Sequence, residues 1–449
     1  MLRVLSRTNV GLSILRKTFP ITTSAIVTHR LTNRHLCIHQ NQRLSTQKYL
    51  TTATYSPGGE HAASTYNIDN KSETIDILFD DKTSSRYPFV WLRDNCPCDE
   101  CFDKSSLQRK ILVDDFDVDD VIARDANMDS EKMTIYWTDG HTSEYPINWL
   151  HNYKFPQVTD HIQELKVSYW GSEMTKDKLA KFSFQDLMND DDALYSWMVS
   201  LHTHGINLVT GMGTERDASL TLTERVGHPR STCYGIDWEV KSKPEPNNLA
   251  YTGCRLCLHN DLPFYMYEPC IQLLHGIKVS DIGGESEFVD GFKVAYDLKR
   301  DDPDTFRILS TVPVGFSDQG IDEVSKSEYY LKHSKPVISL DLKGNIDKIN
   351  FNQHVRGIRT GVSVDNMKSF YRAWKKFNTT LYKQENLISF KIQQGEAVCF
   401  NNIRTLHGRA EFLVPAGNAV PRHLHGNYID WDSIYSRIRV IARNKNIFF

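Results

Sequence analysis

Apolar and polar positions alternate with different periods along this chain of 449 residues, and the changes of period divide it into blocks. From residue 74 the period is short. Thr74-Ile75-Asp76-Ile77-Leu78-Phe79 alternates in part, as a half-buried strand does. Met133-Thr134-Ile135-Tyr136-Trp137 repeats the pattern and runs into Asp139-Gly140, a turn signal. Ser143-Glu144-Tyr145-Pro146-Ile147 then completes a predicted hairpin, so residues 66–155 read as a small β-rich unit and 156–170 as a connecting segment. The next block, 171–449, opens with two helices, at 183–187 and 191–199, marked by capping residues and helical spacing. A strand follows at 205–209. Beyond residue 250, short strand patterns alternate with Gly, Pro and Asp turns, apart from a helical region at 363–385. Many short strands and few helices predict a mainly β fold with flanking helices, a double-sheet sandwich or barrel such as a jelly roll. No internal repeat is visible in the pattern.

Composition changes this picture at one end only. Residues 1–59 contain no Asp or Glu, eight Lys or Arg, and fifteen Ser or Thr, which is the composition of a mitochondrial transit peptide. Elsewhere the chain is unremarkable in charge, with a formal net of −3, so no nucleic-acid partner is expected. No apolar run is long enough for a transmembrane helix, and no membrane partner is expected. Nine cysteines in so long a chain do not make a disulfide scaffold; their clustering carries more information than their number.

Three of them, Cys96, Cys98 and Cys101, fall within six residues. His141 sits just past the Asp139-Gly140 turn of the predicted hairpin. Three thiolates and one imidazole form a closed tetrahedral zinc set, which would staple a unit with a modest core. Cys254 and Cys257 form a C-x-x-C pair, but without a helix-opening βαβ setting they read as small buried side chains.

The stretch from Arg255 to Phe264 carries His259 and Asp261 among apolar neighbours. Side chains two apart on extended backbone point the same way, so the pair can converge on one metal. A third ligand is offered by His407, at the end of an apolar run and followed by Gly408. Fifteen residues on stands Arg422, whose guanidinium fork suits a carboxylate. Two histidines and a carboxylate on one face form the facial triad of non-haem Fe(II) oxygenases.

The segments VWLRDNCPCDEC, AYTGCRLCLHND, IQLLHGIKVSDIGGESEFVDGF, LHGRAEF and RHLHGNYIDWDSIYSRIRV go further. Over Tyr87 to Ile441 the chain resembles the 2-oxoglutarate-dependent oxygenases of carnitine biosynthesis, most of all the gamma-butyrobetaine dioxygenase family, with the trimethyllysine dioxygenases as its sister family. The resemblance implies a distorted double-stranded β-helix core behind an N-terminal zinc domain, and a homodimer. It implies Fe(II) at His259, Asp261 and His407, structural Zn(II) at Cys96, Cys98, Cys101 and His141, and the distal carboxylate of the cosubstrate 2-oxoglutarate at Arg422, with ascorbate as reductant. Family positions that cage a trimethylammonium group match Tyr234, Trp238, Tyr251 and Tyr428; those that hold the substrate carboxylate match Asn248 and Asn352. Aromatic faces suit a cation that has no N–H to donate. The implied reaction is hydroxylation of gamma-butyrobetaine at C-3 to L-carnitine, coupled to decarboxylation of 2-oxoglutarate to succinate and CO2. Trimethyllysine hydroxylation, or a metal-binding protein without turnover, are the alternatives. Two positions and one stretch depart from the pattern: Asn260 replaces a threonine, Leu262 replaces a tyrosine, and 267–270 is closer to the trimethyllysine branch.

Overall fold

Alternation in Thr74–Phe79 places Ile75, Ile77 and Phe79 on one face, and all three are buried. In the computed structural model, which describes residues 62–157, 162, 165–241, 252–413 and 422–445, this strand pairs antiparallel with Ala63–Asp69 on one side and Ser84–Pro88 on the other. A second three-stranded sheet follows, built from Ala123–Met128, Lys132–Trp137 and Thr142–Pro146. The predicted hairpin is its second half. Both sheets supply one core, in which Tyr87, Phe89, Trp137 and Tyr145 are fully buried.

Each sheet ends on a proline and turns directly into a six-residue helix, Phe89–Asp94 after Pro88 and Ile147–Asn152 after Pro146. Proline has no N–H to leave unpaired, and its ring fixes φ near the value a helix start needs. The two junctions share the spelling Ser-x-Tyr-Pro-x-x-Trp-Leu, at 85–92 and 143–150. They also share contacts: the Tyr87 hydroxyl donates to the Leu150 carbonyl at 2.6 Å, and the Tyr145 hydroxyl to the Leu92 carbonyl at 2.5 Å. The unit is therefore an internal duplication, contrary to the expectation of no repeat. It escapes notice because only the junction residues match, while the strands before them need only alternate.

The second block starts as expected. Ser183 caps Phe184–Asn189 by accepting from Asp186 N–H, and Asp190 caps Asp191–His204 by accepting from Asp192 N–H. Gly205 ends the longer helix in the left-handed conformation, φ 71°, and Ile206–Thr210 follows as a strand. That strand joins a six-stranded sheet in the order Asp237–Lys241, His423–Ile429, Ile271–Lys278, Ala397–Asn401, Ile206–Thr210, Lys181–Ser183. A four-stranded sheet has the order Leu256–His259, Thr405–Arg409, Ser286–Asp290, Leu387–Phe390. Leu274, Phe400 and Leu424 of the first meet Phe288 and Phe390 of the second in one core. These are the two layers of a double-stranded β-helix.

Between Ser286–Asp290 and Leu387–Phe390 the chain makes a long excursion. It holds the helices Gly291–Asp301, Pro303–Thr311 and Met367–Leu381 and a three-stranded sheet of Pro313–Ile321, Glu328–Pro336 and Arg356–Thr360. The predicted helix at 363–385 is thus shorter at both ends. Two more helices of the excursion, and a C-terminal one at Trp431–Asn444, were expected as turns and strands. The Asp and Pro residues taken for turns are caps: Asp290 accepts from Phe292 and Lys293 N–H, and Asp302 from Thr305 N–H just before Pro303.

Asp290 has a second task. Its two oxygens accept from Arg404 Nε and Nη2 at 3.1 and 2.7 Å, with both side chains at most 1% exposed. Arg404 gives two further hydrogens to the carbonyls of Thr203 and Ser168. A buried, hydrogen-bonded pair of this kind ties the end of Ser286–Asp290 to the turn before Thr405–Arg409. Among the described residues no helix is long and apolar enough to cross a membrane. Residues 1–59 lie outside the described residues.

Candidate active site

His259 and His407 are direct cross-strand partners in the four-stranded sheet, which brings their ring centroids to 4.2 Å. The pairing needs the strands close, and Gly408 permits it: a Cβ there would lie 2.8 Å from the Leu256 carbonyl oxygen. Asp261 follows on a tight exit from the strand. Its N–H donates to Asn402 Oδ1 at 2.8 Å, and Asn402 Nδ2 donates back to its carbonyl at 3.0 Å. Asn260 is buried, with its amide linking the Asn402 carbonyl to the Phe351 N–H. The two departures beside Asp261 are therefore structural: Asn260 ties the loop down, and Leu262 turns it at φ 58° into the core.

Asp261 Oδ1 lies 3.1 Å from His259 Nε2 and 3.7 Å from His407 Nε2. All three donor atoms lie within 4.8 Å of one another. His259 Nδ1 sits 2.7 Å from the Cys257 carbonyl, so it carries the proton and leaves Nε2 bare for a metal. Burial lowers His407 to about 3, with the neighbouring His259 acting in the same direction, so its ring is neutral and can ligate. Burial pushes the Asp261 carboxyl up, but the His407 and His259 rings facing it and the hydrogen bond from Tyr428 outweigh it and hold it well below the usual carboxylate range. Neutral imidazoles and an ionised carboxylate are the state that binds Fe(II).

The triad opens into a cavity of about 310 Å³ between the sheets, large enough for small ligands. Arg422 lines it, 6% exposed. Unlike Arg404, it has no hydrogen bond or ion pair among the described residues. Burial, reinforced by Arg409, lowers its pKa to about 9. A buried guanidinium without a carboxylate is costly unless a ligand supplies one, and the fit to an anionic cosubstrate rests on that vacancy of charge.

Tyr234, Trp238 and Tyr428 also line the cavity. The Trp238 and Tyr428 rings lie 5.4 Å apart at 43°. Gly426 makes room for the indole, since a Cβ would meet its ring carbons at 2.4–2.6 Å. Tyr428 has a role the sequence did not reveal: its hydroxyl donates to Asp261 Oδ2 at 2.7 Å. Asn352 lines the same space and gives one amide hydrogen to the Asn260 carbonyl, while its oxygen accepts from His354 and Val355 N–H. Asn248 and Tyr251 lie outside the described residues.

Five polar lining residues were missed, Ser286 and Arg409 among them. Gln272 is 1% exposed, and its side-chain oxygen has no partner among the described residues. His354 and Asp318 come from the excursion. Gln272 stands inside the apolar run of a strand buried on both faces, and that run could have marked it as a buried amide; no sequence signal marks His354 or Asp318. The reading of Cys254 and Cys257 as buried needs correction, since Cys254 is exposed and Cys257 only half-buried. Cys254 precedes the strand, where the chain is still outside the sheet.

The cysteine cluster forms the second constellation. Its sulfurs lie 3.3, 3.7 and 3.6 Å from His141 Nε2, for Cys96, Cys98 and Cys101. Ligands at roughly 2.3 Å for sulfur and 2.0 Å for nitrogen on a tetrahedral zinc would lie roughly 3.6 Å apart. Arg93 reaches Cys101 Sγ at 3.7 Å and pairs with Asp139, which holds the His141 N–H. Burial raises the Cys96 thiol to about 12, so a thiolate there needs a cation. Only Ile111 joins Cys96 and Cys101 in their small buried cluster, consistent with a metal as the local staple.

The chain matches the sequence model of the taurine catabolism dioxygenase TauD, TfdA family over residues 162–428, and that of the gamma-butyrobetaine hydroxylase-like N-terminal region over 66–151. It is 38% identical to gamma-butyrobetaine dioxygenase of Homo sapiens, covering 83% of this chain and 97% of that one. The corresponding protein of Pseudomonas sp. (strain AK-1) is 30% identical, covering 82% and 94%. Mitochondrial trimethyllysine dioxygenase of Gallus gallus is 27% identical, covering 80% and 84%.

Proposed function

The chain belongs to the TauD/TfdA family of dioxygenases, within the branch of the gamma-butyrobetaine dioxygenases, and on that premise we propose that it hydroxylates gamma-butyrobetaine at C-3 to give L-carnitine. One observation carries this reading: a single cavity joins the His259–Asp261–His407 set, the unpaired Arg422 and the aromatic faces of Tyr234, Trp238 and Tyr428. When bound, Fe(II) supplies the oxidising chemistry, in which O2 converts 2-oxoglutarate to succinate and CO2 and delivers its other oxygen atom to a substrate C–H.

The chain's own residues bind and orient. Arg422 pairs with the distal carboxylate of 2-oxoglutarate and relieves its own buried charge. Tyr234, Trp238 and Tyr428 present ring faces to the trimethylammonium group. Asn352, with one amide hydrogen uncommitted, serves the substrate carboxylate. Fixing both ends of a short substrate decides which carbon faces the metal. Leu256, Leu274, Phe288 and Leu424 line the space between and keep it poor in water.

The stretch 267–270, the feature closest to the trimethyllysine branch, does not line the cavity. Glu268 is committed to Lys335 at 2.7 Å and Lys348 at 3.7 Å. That departure bears on packing and leaves the butyrobetaine reading in place. Formation of carnitine and succinate in equal amounts, dependent on Fe(II) and 2-oxoglutarate, tests the function. Absence of coupled turnover with every trimethylammonium substrate tried would refute it. The same reading makes the protein a homodimer, tested by its mass in solution from light scattering. It also makes residues 1–59 a mitochondrial targeting segment, tested by fusing them to a fluorescent reporter; a diffuse cytosolic signal would refute import.

A further inference from the structure

Asp318 is the one acidic lining residue without a cationic or histidine partner among the described residues. It sits on the strand Pro313–Ile321 of the excursion, lines the cavity, and has no lysine, arginine or histidine within ion-pair distance among the described residues. Its carboxylate is nevertheless held in place: the Tyr329 hydroxyl donates to Oδ2 at 3.1 Å from the adjacent strand Glu328–Pro336. The Ser317 N–H donates to the Val355 carbonyl at 2.9 Å and anchors the strand beside another lining residue. Asp318 and Tyr234 line the same cavity, and after burial the Asp318 carboxylate is the largest influence raising that phenol's pKa, ahead of Asp261. Tyr428, on the metal side, feels Asp261 instead.

We propose that Asp318 is a specificity-determining residue, whose fixed carboxylate at the Tyr234–Trp238 end of the cavity selects a quaternary ammonium over a neutral group of the same shape. The inference rests on the functional reading above and deepens it. Aromatic faces attract a cation and also accept a tert-butyl group by burial alone, so a cage of rings discriminates weakly between the two. An uncompensated carboxylate acts on charge only, and beside half-buried protein walls its field is screened less than in bulk solvent. A quaternary ammonium has no N–H, so the carboxylate need not touch it. Holding Asp318 by Tyr329 rather than by a cation keeps its full charge directed at the ligand.

The test compares gamma-butyrobetaine with its carbon isostere, 5,5-dimethylhexanoate, for binding to the metal-loaded protein with 2-oxoglutarate in the absence of oxygen. Wild type should prefer the cation. Asp318→Asn keeps shape and can still accept from Tyr329; its Kd for gamma-butyrobetaine should rise on the order of tenfold while that for the isostere stays put. Tyr329→Phe, which loosens the carboxylate without removing it, should shift the preference in the same direction by less. Melting temperatures near wild type for both variants establish that they are folded. If wild type binds neither compound, the functional reading falls, and this proposal with it. If wild type discriminates and Asp318→Asn discriminates equally well, the reading stands and the role of Asp318 is overturned. Loss of trimethyllysine binding alone, with gamma-butyrobetaine unaffected, would also overturn it, because the carboxylate would then serve an α-ammonium group.

Discussion

Tyr428 donates its hydroxyl to Oδ2 of Asp261 at 2.7 Å, so a residue expected to cage a cation also orients a metal ligand. Partners of this kind fix the ligand's geometry and tune its basicity. Tyr428→Phe keeps the ring and its packing on Trp238 but removes the donor. Metal affinity should fall about 10- to 100-fold while KM for the ammonium substrate changes little at saturating Fe(II). Metal titration beside steady-state kinetics separates the two. Unchanged metal affinity would show that Asp261 is held by its loop alone.

The two metal constellations should fail independently. His259→Ala or Asp261→Ala leaves two ligands in an open-sided site and should abolish turnover, with the zinc retained. Cys98→Ser should release zinc and lower the melting temperature while leaving the three iron ligands, His259, Asp261 and His407, chemically intact. Metal content by mass spectrometry, read beside activity and melting, checks both. Full activity in Asp261→Ala would end the oxygenase reading, and retention of zinc and stability in Cys98→Ser would end the structural zinc site.

The ligands were legible because their chemistry is local. Cys96, Cys98 and Cys101 fall within one turn, and His259 and Asp261 share one strand end, so spacing alone proposes them. His407 was offered by the apolar run that leads to it and the glycine after it, although nothing short-range says that its strand pairs with that of His259. Asp318 and His354 were beyond reach for a stronger reason: they enter the cavity from an excursion whose docking is decided by tertiary packing. The caps Asp290 and Asp302 were read as turns because an Asp before an apolar run serves both. The duplication in residues 62–157 was hidden because only its helix junctions are constrained in identity.

That duplication makes its own prediction. Tyr87 and Tyr145 each reach into the opposite half, and each is fully buried. Replacing either by Phe leaves a buried carbonyl, of Leu150 or of Leu92, without this donor. The cost should be about 1–3 kcal/mol for each change. Equilibrium urea denaturation would read it as a lower midpoint, with the double variant below either single one. A difference of several fold between Tyr87→Phe and Tyr145→Phe would show that the two halves are not energetically equivalent.

The charge of Arg422 should make cosubstrate binding fall off in alkali. In the free protein burial lowers this guanidinium to about 9, so its folded pKa is depressed below the usual value near 12.5. For a base depressed in this way the sign is fixed. Below pH 9 the folded protein carries a buried, unpaired cation and is destabilised by it; stability is regained as pH rises from 9 toward the unfolded value, where only the unfolded chain keeps the proton. An anionic cosubstrate needs the protonated form, so binding above pH 9 requires proton uptake and should weaken about tenfold per pH unit. In manganese-loaded protein, which does not turn over, the rise in melting temperature given by 2-oxoglutarate should therefore be large at pH 7.5 and small at pH 10. Arg422→Met should abolish the gain at both values while raising the melting temperature of the ligand-free protein at pH 7.5, because it removes the unpaired charge. A gain that is the same at both pH values, or a variant no more stable than wild type, would place the carboxylate elsewhere.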